Sequence, residues 1–200
     1  MKCFSKLCLA FLLFLLVNSL PAQPVLYIGA QAGPAVPNMI MPATISALSL
    51  QSSGRQFGLF LRYGKRPYYQ LSFNWANASE MMQFDQKDRG LVQEQIPLRQ
   101  FSISGIMGYN LLNKPAFKLR SSMGPQIGYT HIEAPAFLPG GGDPVQQARL
   151  SWLLGAGIDL YHFNIDLTYQ LGLDPLLPFE GPKDLQVRMN MLALGIGVHI

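Results

Sequence analysis

The sequence predicts an all-β fold, an eight-stranded antiparallel up-and-down transmembrane β-barrel. Three observations point there. Eight segments alternate residue by residue between large apolar side chains and small or polar ones, the period that gives a strand two chemically different faces. Charged residues make up only 13% of the chain against 49% hydrophobic ones, and about a quarter charged is usual for a soluble domain. Beyond the N-terminal segment, however, no run reaches the ~18 apolar residues of a spanning helix. Finally, the connections between the segments alternate long and short, as the extracellular loops and periplasmic turns of outer-membrane barrels do.

Residues 1–22 read as a secretory signal and 23–200 as the barrel domain. Lys2 and Lys6 form a positive start, Leu7 to Val17 a short apolar run, and Asn18 to Ala22 a cleavage region that leaves Gln23 as the first mature residue. Both cysteines, Cys3 and Cys8, lie inside this segment, so the mature chain has no disulfide and no thiol chemistry. Without Lys2 and Lys6 the basic count falls from 15 to 13 against 11 acids, a net charge of +2. Such a small, scattered charge gives no footprint for nucleic acid.

The first strand is Val25 to Pro34, with Leu26, Ile28, Ala30 and Ala32 opposing Tyr27, Gly29, Gln31 and Gly33. Ala35 to Gly54, broken by Pro37 and Pro42, reads as a long loop. Gln56 to Ala76 is a hairpin turning at Gly64-Lys65-Arg66-Pro67: Phe57, Leu59, Leu61 and Tyr63, then Tyr69, Leu71, Phe73 and Trp75, share its apolar face. Asn77 to Gln95, carrying Glu80, Asp85, Lys87, Asp88, Arg89 and Glu94, reads as a solvated loop. Ile96 to Tyr109 and Ala116 to Thr130 form the next pair around the turn at Asn110 to Pro115. Pro125 lacks the N–H a paired strand uses, which predicts a rim or a bulge there. His131 to Gln147 is a loop with the run Gly140 to Gly142. Ala148 to Leu160 and Phe163 to Gly172 are strands joined by Tyr161-His162. Leu173 to Asp184 is the last loop, and Leu185 to Ile200 closes the chain.

The apolar faces carry no charge in their central parts, as lipid requires, since Arg or Lys at the midplane costs about 2–4 kcal/mol. The opposite faces carry Arg62, Lys118, Arg120, Asp159 and Asp166 among Gln, Asn, Ser, Thr and Gly. An eight-stranded barrel has an interior that side chains can fill, and unpaired buried charge is costly. These five residues are therefore expected to form one lumen ion network that plugs the pore. Aromatics fall at two heights, as a membrane girdle does: Tyr63, Tyr69 and Tyr109 beside the short turns, Trp75, Tyr129, Trp152 and Tyr169 toward the long loops. A soluble, lipocalin-like ligand-binding barrel is the alternative. Its outer face would carry more Lys and Glu than these polar faces do.

With these features in place, the chain resembles the PorT-like family of outer-membrane β-barrel proteins and, more loosely, the small barrels related to OmpX and the OmpA membrane domain. The resemblance lies in Pro21-Ala22-Gln23 at the end of the signal, the first strand from Tyr27 to Gly33, the Gly124-Pro125 step, and the closing Leu194-Gly195-Ile196-Gly197-Val198-His199-Ile200. It covers the mature chain, which departs from the pattern by ending in Ile200 rather than an aromatic. It implies a location in the outer membrane of a Gram-negative cell, with lipid and the barrel assembly machinery as partners and proteins contacted at the extracellular loops. It also implies a structural or interaction role, such as an accessory to protein export.

No cofactor or metal is expected: there is no metal-ligand spacing and no phosphate-binding loop. Among His131, His162 and His199, only His131, near Glu133, has the acid neighbour that a lipid-modifying barrel enzyme would need for a general base. The expected chain is not an enzyme, and solvated or rim histidines explain all three.

Overall fold

The computed structural model describes residues 25–40, 47–86, 90–114, 116–133, 144–174 and 188–200. Residues 1–24, which include the segment read as a signal and both cysteines, together with 134–143, read as loop, and 175–187, read as loop up to Asp184, lie outside the described residues. Eight strands follow in chain order: β1 Leu26–Ile40, β2 Ala47–Gly64, β3 Pro67–Gln86, β4 Gly90–Lys114, β5 Phe117–Glu133, β6 Pro144–Leu160, β7 Phe163–Gly172 and β8 Arg188–His199. Each pairs antiparallel with the next, and β8 returns to β1, so the sheet closes into an up-and-down barrel. Closure matters because it leaves no row of unpaired backbone groups. The seam is sealed by Ile28 and Ile200, each donating its N–H to the other's carbonyl at 3.0 Å.

The period-two patterns place the side chains as the sequence predicts. Leu59, Leu61, Leu71, Phe73, Ile103, Leu154, Leu167 and Leu194 all stand on the outside, exposed. Gln56, Gln70, Ser72, Gln100, Ser102, Gln126, Ser151 and Gln170 point inward and are buried.

The short connections that follow Gly64, Lys114 and Leu160 lie at one end. Gly64 adopts φ 123° at the first, a conformation that a side chain would strain, and donates its N–H to the carbonyl of Val25. Tyr161 takes φ 52° at the third, the left-handed geometry that a two-residue hairpin needs. The reversal is tighter than Asn110 to Pro115: β4 continues to Lys114, with a register shift between Asn110 and Leu112.

Three stretches read as loops are strand in whole or in part; in the third, His131 to Gln147, His131–Glu133 ends β5 and Pro144–Gln147 begins β6. Ala35 to Ile40 extends β1, and Ala47 to Gly54 belongs to β2. Asn77 to Gln86 and Gly90 to Gln95 extend the β3–β4 hairpin, leaving only 87–89 between them. Pairing with a long neighbour overrides local turn chemistry here. The segment also hides Glu80, expected in solvent but fully buried in the lumen, where it accepts the N–H of Met39 at 3.1 Å. At 25 residues β4 far exceeds the ~9–11 that a tilted strand needs to cross a bilayer. The hairpin therefore projects well past the loop end of the wall.

Pro125 occupies neither a rim nor a bulge. It stands mid-strand opposite Trp152, and the β4–β5 register passes from Ser104↔Gln126 to Met107↔Met123 without a shift. The missing N–H is absorbed on that side, while the β6 side stays paired.

Two lumen aromatics lie against glycines of the neighbouring wall. A side-chain carbon on Gly29 would come within 2.4 Å of the Phe60 ring, and one on Gly108 within 2.1 Å of Tyr68. Gly108→Val is therefore expected to lower stability by about 1–3 kcal/mol by overpacking. A urea titration in lipid vesicles checks it against Gly105→Val, whose added carbon meets nothing within 4 Å.

Candidate functional site

The turn-end half of the lumen holds an ion cluster supplied by four strands. Inward parity puts Arg62 on β2, Arg120 on β5, Asp159 on β6 and Asp166 on β7, all buried. Arg62 donates from Nη1 to Asp159 Oδ2 at 3.0 Å and from Nε to Gln70 Oε1 at 2.8 Å. Arg120 donates from Nε to Asp159 Oδ1 at 2.9 Å and from Nη2 to the Asp166 carboxylate at 2.8 Å. Asn164 Nδ2 donates to Asp166 at 2.9 Å. Two guanidinium groups meet two carboxylates, so the cluster is formally neutral, the condition under which buried charges are tolerated. The Arg62 guanidinium also lies between two rings, 5.0 Å from the centroid of Phe60 and 5.1 Å from that of Tyr68.

Lys118 stands apart from this cluster. It sits opposite Asp159 in the β5–β6 register, yet its Nζ donates to the Tyr27 hydroxyl at 2.6 Å and lies 4.6 Å from that ring's centroid. Both Asp159 oxygens are taken by arginines, whose planar forks suit a shared carboxylate better than a point-charge ammonium. Tyr27 in turn meets His199 edge-on, with centroids 5.0 Å apart.

Above the charges lies an amide layer. Gln70 bonds Ser72 at 2.9 Å, and Gln126 bonds Gln170, which bonds Ser151, both at 3.0 Å. The free space among these groups amounts to about 40 Å³, room for a few waters at most. Toward the loop end buried apolar residues, Leu98, Ile96, Ile132, Met189 and Ala35, share the lumen with the fully buried Glu80. Arg149, fully buried, donates from Nη2 to the Asp174 carbonyl at 3.2 Å, and the Asp174 carboxylate accepts the N–H of Leu150 at 2.7 Å.

All seven predicted girdle aromatics point outward. Tyr63 faces Tyr69 across the first hairpin, and Tyr109 sits opposite Pro67, at the turn end. Trp75 and Tyr129 flank Phe101 on adjacent strands, and Trp152 and Tyr169 lie on β6 and β7. Trp75 is 58% exposed, a state that an aqueous surface penalises and a membrane interface favours.

His131 is an outward position of β5, paired with Arg99 and Gln146, and half-buried. His162 is exposed in the last turn, its carbonyl accepting the N–H of His199 at 2.8 Å. His199 itself is a lumen residue, not a solvated one. Sequence reasoning put Gln100 and Asn164 on the polar faces of their strands but passed over Tyr68 and Arg149, which are also buried. Extending the alternation one residue back, from Tyr69 and from Leu150, would have placed both inside.

No protein-family model matches the chain, and no curated protein matches it in sequence. Solved structures do match over most of its length. Ail of Yersinia pestis, the attachment invasion locus protein solved with the heparin analogue sucrose octasulfate, is 17% identical. That match covers 88% of this chain and 99% of that one, with a TM-score of 0.48. Neisserial surface protein A is 12% identical, with coverages of 88% and 99% and a TM-score of 0.48. OprG of Pseudomonas aeruginosa is 11% identical, with coverages of 87% and 95% and a TM-score of 0.46.

Proposed function

We propose that the protein is an integral outer-membrane barrel without enzymatic activity, whose lumen is plugged and whose working surfaces are its outer wall and loop end. One observation carries this: a closed barrel with large apolar side chains over its outside and a charge-paired, hydrogen-bonded inside. In water that arrangement is inverted; in a bilayer it satisfies every backbone group and keeps the charges from lipid. Arg62, Arg120, Asp159 and Asp166 serve as the plug, Lys118 with Tyr27 extends it toward the turn end, and the seven aromatics mark the two interfaces.

Purified outer membranes should contain the protein, and it should migrate faster on gels before heating than after. A mature chain that stays soluble without detergent overturns the reading in favour of a ligand-binding soluble barrel. Planar-bilayer recording is expected to show no stable, wide open state; a large steady conductance would contradict the plug.

A finer role rests on the PorT-like resemblance: an accessory to export or to assembly of surface components, engaging protein partners through the loops and reaching the membrane by the barrel assembly machinery. Deleting the gene and finding surface cargo unchanged would remove that role. A lipid-modifying activity at His131 is not favoured, because its neighbours across the sheet are Arg99 and Gln146 rather than a carboxylate. Unaltered membrane lipids in His131→Ala are the expected result.

A further inference from the structure

The outer wall carries an oblique row of polar side chains that no part of the plug explains. Arg55 pairs with Asn77, Asn77 with Arg99, and Arg99 with His131, across β2, β3, β4 and β5. All four are outward positions, the first three exposed. One outward position nearer the turn end, the same strands present Phe57, Trp75, Phe101 and Tyr129 in register with one another. The cationic row thus borders the aromatic row on its loop side. The next outward positions beyond it are Ser53, Ser79 and Pro97.

With strands ~4.8 Å apart, the two arginines stand about 10 Å from each other with Asn77 between them. Arg55, Trp75, Asn77, Ser79, Pro97 and Arg99 border one shallow, solvent-open patch. Among the described residues every ion pair lies in the lumen, so neither arginine is engaged by a described carboxylate. The outward positions of β7, Phe163, Ile165, Leu167, Tyr169 and Leu171, include no cation, and on β8 the exposed cation is Arg188, at the strand's loop end.

We infer that the Arg55–Asn77–Arg99 row is a docking site for phosphate-bearing lipid headgroups of the leaflet around the loop end of the barrel. The occupant follows from position and charge. Interfacial aromatics mark the level where acyl chains give way to headgroups, and the row is continuous with them on the water side. A guanidinium fork matches phosphate oxygens bidentately and is weakly hydrated. Asn77 adds an amide donor between the two forks, and Trp75 gives the headgroup an apolar floor. The inference rests on the membrane reading above.

The test uses the mature protein folded into phosphatidylcholine nanodiscs containing a minority of phosphatidic acid, with retained lipid counted by native mass spectrometry. Wild type should retain phosphatidic acid selectively. Arg55→Gln with Arg99→Gln should reduce that retention roughly tenfold or more, given the interfacial attraction of each arginine, while Arg66→Gln at the turn end should not. Equal retention by wild type and the double variant, both showing heat-modifiable migration, overturns the site but leaves the membrane reading intact. Wild type that fails to fold into the discs overturns both. Binding of inorganic pyrophosphate by barrels in pure phosphatidylcholine, with displacement of phosphatidic acid, would assign the row to a soluble polyanion and overturn the lipid proposal.

Discussion

Asp159→Ala is expected to destabilise the barrel by about 3–5 kcal/mol, the cost of leaving buried charge unpaired. Asp159 is the hub of the lumen cluster: one oxygen accepts from Arg62 at 3.0 Å and the other from Arg120 at 2.9 Å. Removing it leaves two buried guanidinium groups and one carboxylate, that of Asp166, which pairs with Arg120. Arg62 then keeps Gln70 and its two flanking rings but no described anion. The reporters are built in, because both tryptophans, Trp75 and Trp152, face outward and report insertion by fluorescence. Urea unfolding from lipid vesicles should show a clearly lower midpoint. Asp159→Leu combined with Arg62→Met should cost much less than the two single changes together, because the double variant removes a pair rather than orphaning a charge. Additive costs, or a midpoint for Asp159→Ala within error of wild type, would show that the cluster is not a coupled unit.

Leu71→Arg is expected to cost about 2–4 kcal/mol, the depth-dependent penalty for a cation facing lipid near the midplane. Leu71 lies between Leu61 on β2 and Gly105 on β4, in the middle of the apolar band and pointing out. Ser53→Arg is the matched control: also outward, also on the outer wall, but beyond the cationic row at the loop end. Its cost should fall to about 0–1 kcal/mol, the value for an interfacial position. Vesicle-based unfolding measures both. Similar small effects for the two would mean that Leu71 faces water, and the membrane reading would fail with it.

What sequence reasoning could see depended on whether a signal was local. Alternation is local, so the two faces of β7, from Phe163 to Gly172, and the outward set Leu192, Leu194, Ile196 and Val198 on β8 were readable directly. Strand ends were not. Pro37 and the acidic stretch after Asn77 carry loop chemistry, but pairing with long neighbours keeps Ala35 to Ile40 and Asn77 to Gln86 extended. For Ala35 to Ile40 the partner is β8 at the far end of the sequence, which no window contains, whereas Asn77 to Gln86 folds back on Gly90 to Arg99, where charge read as solvated loop outweighed the alternation.

The same division holds for the lumen and the wall. The residue order alone determined that each strand has two faces, with large apolar side chains along the central part of one and small or polar residues on the other, because period two is a property of the backbone. Only closure of the barrel decided which charges meet. Arg62 and Asp159 are 97 residues apart, and Arg120 and Asp166 are 46 apart. Their contact, and the diversion of Lys118 to Tyr27, depend on the tilt and stagger with which eight strands close. The row Arg55, Asn77, Arg99 and His131 is likewise invisible along the chain: register, not spacing, makes those residues neighbours.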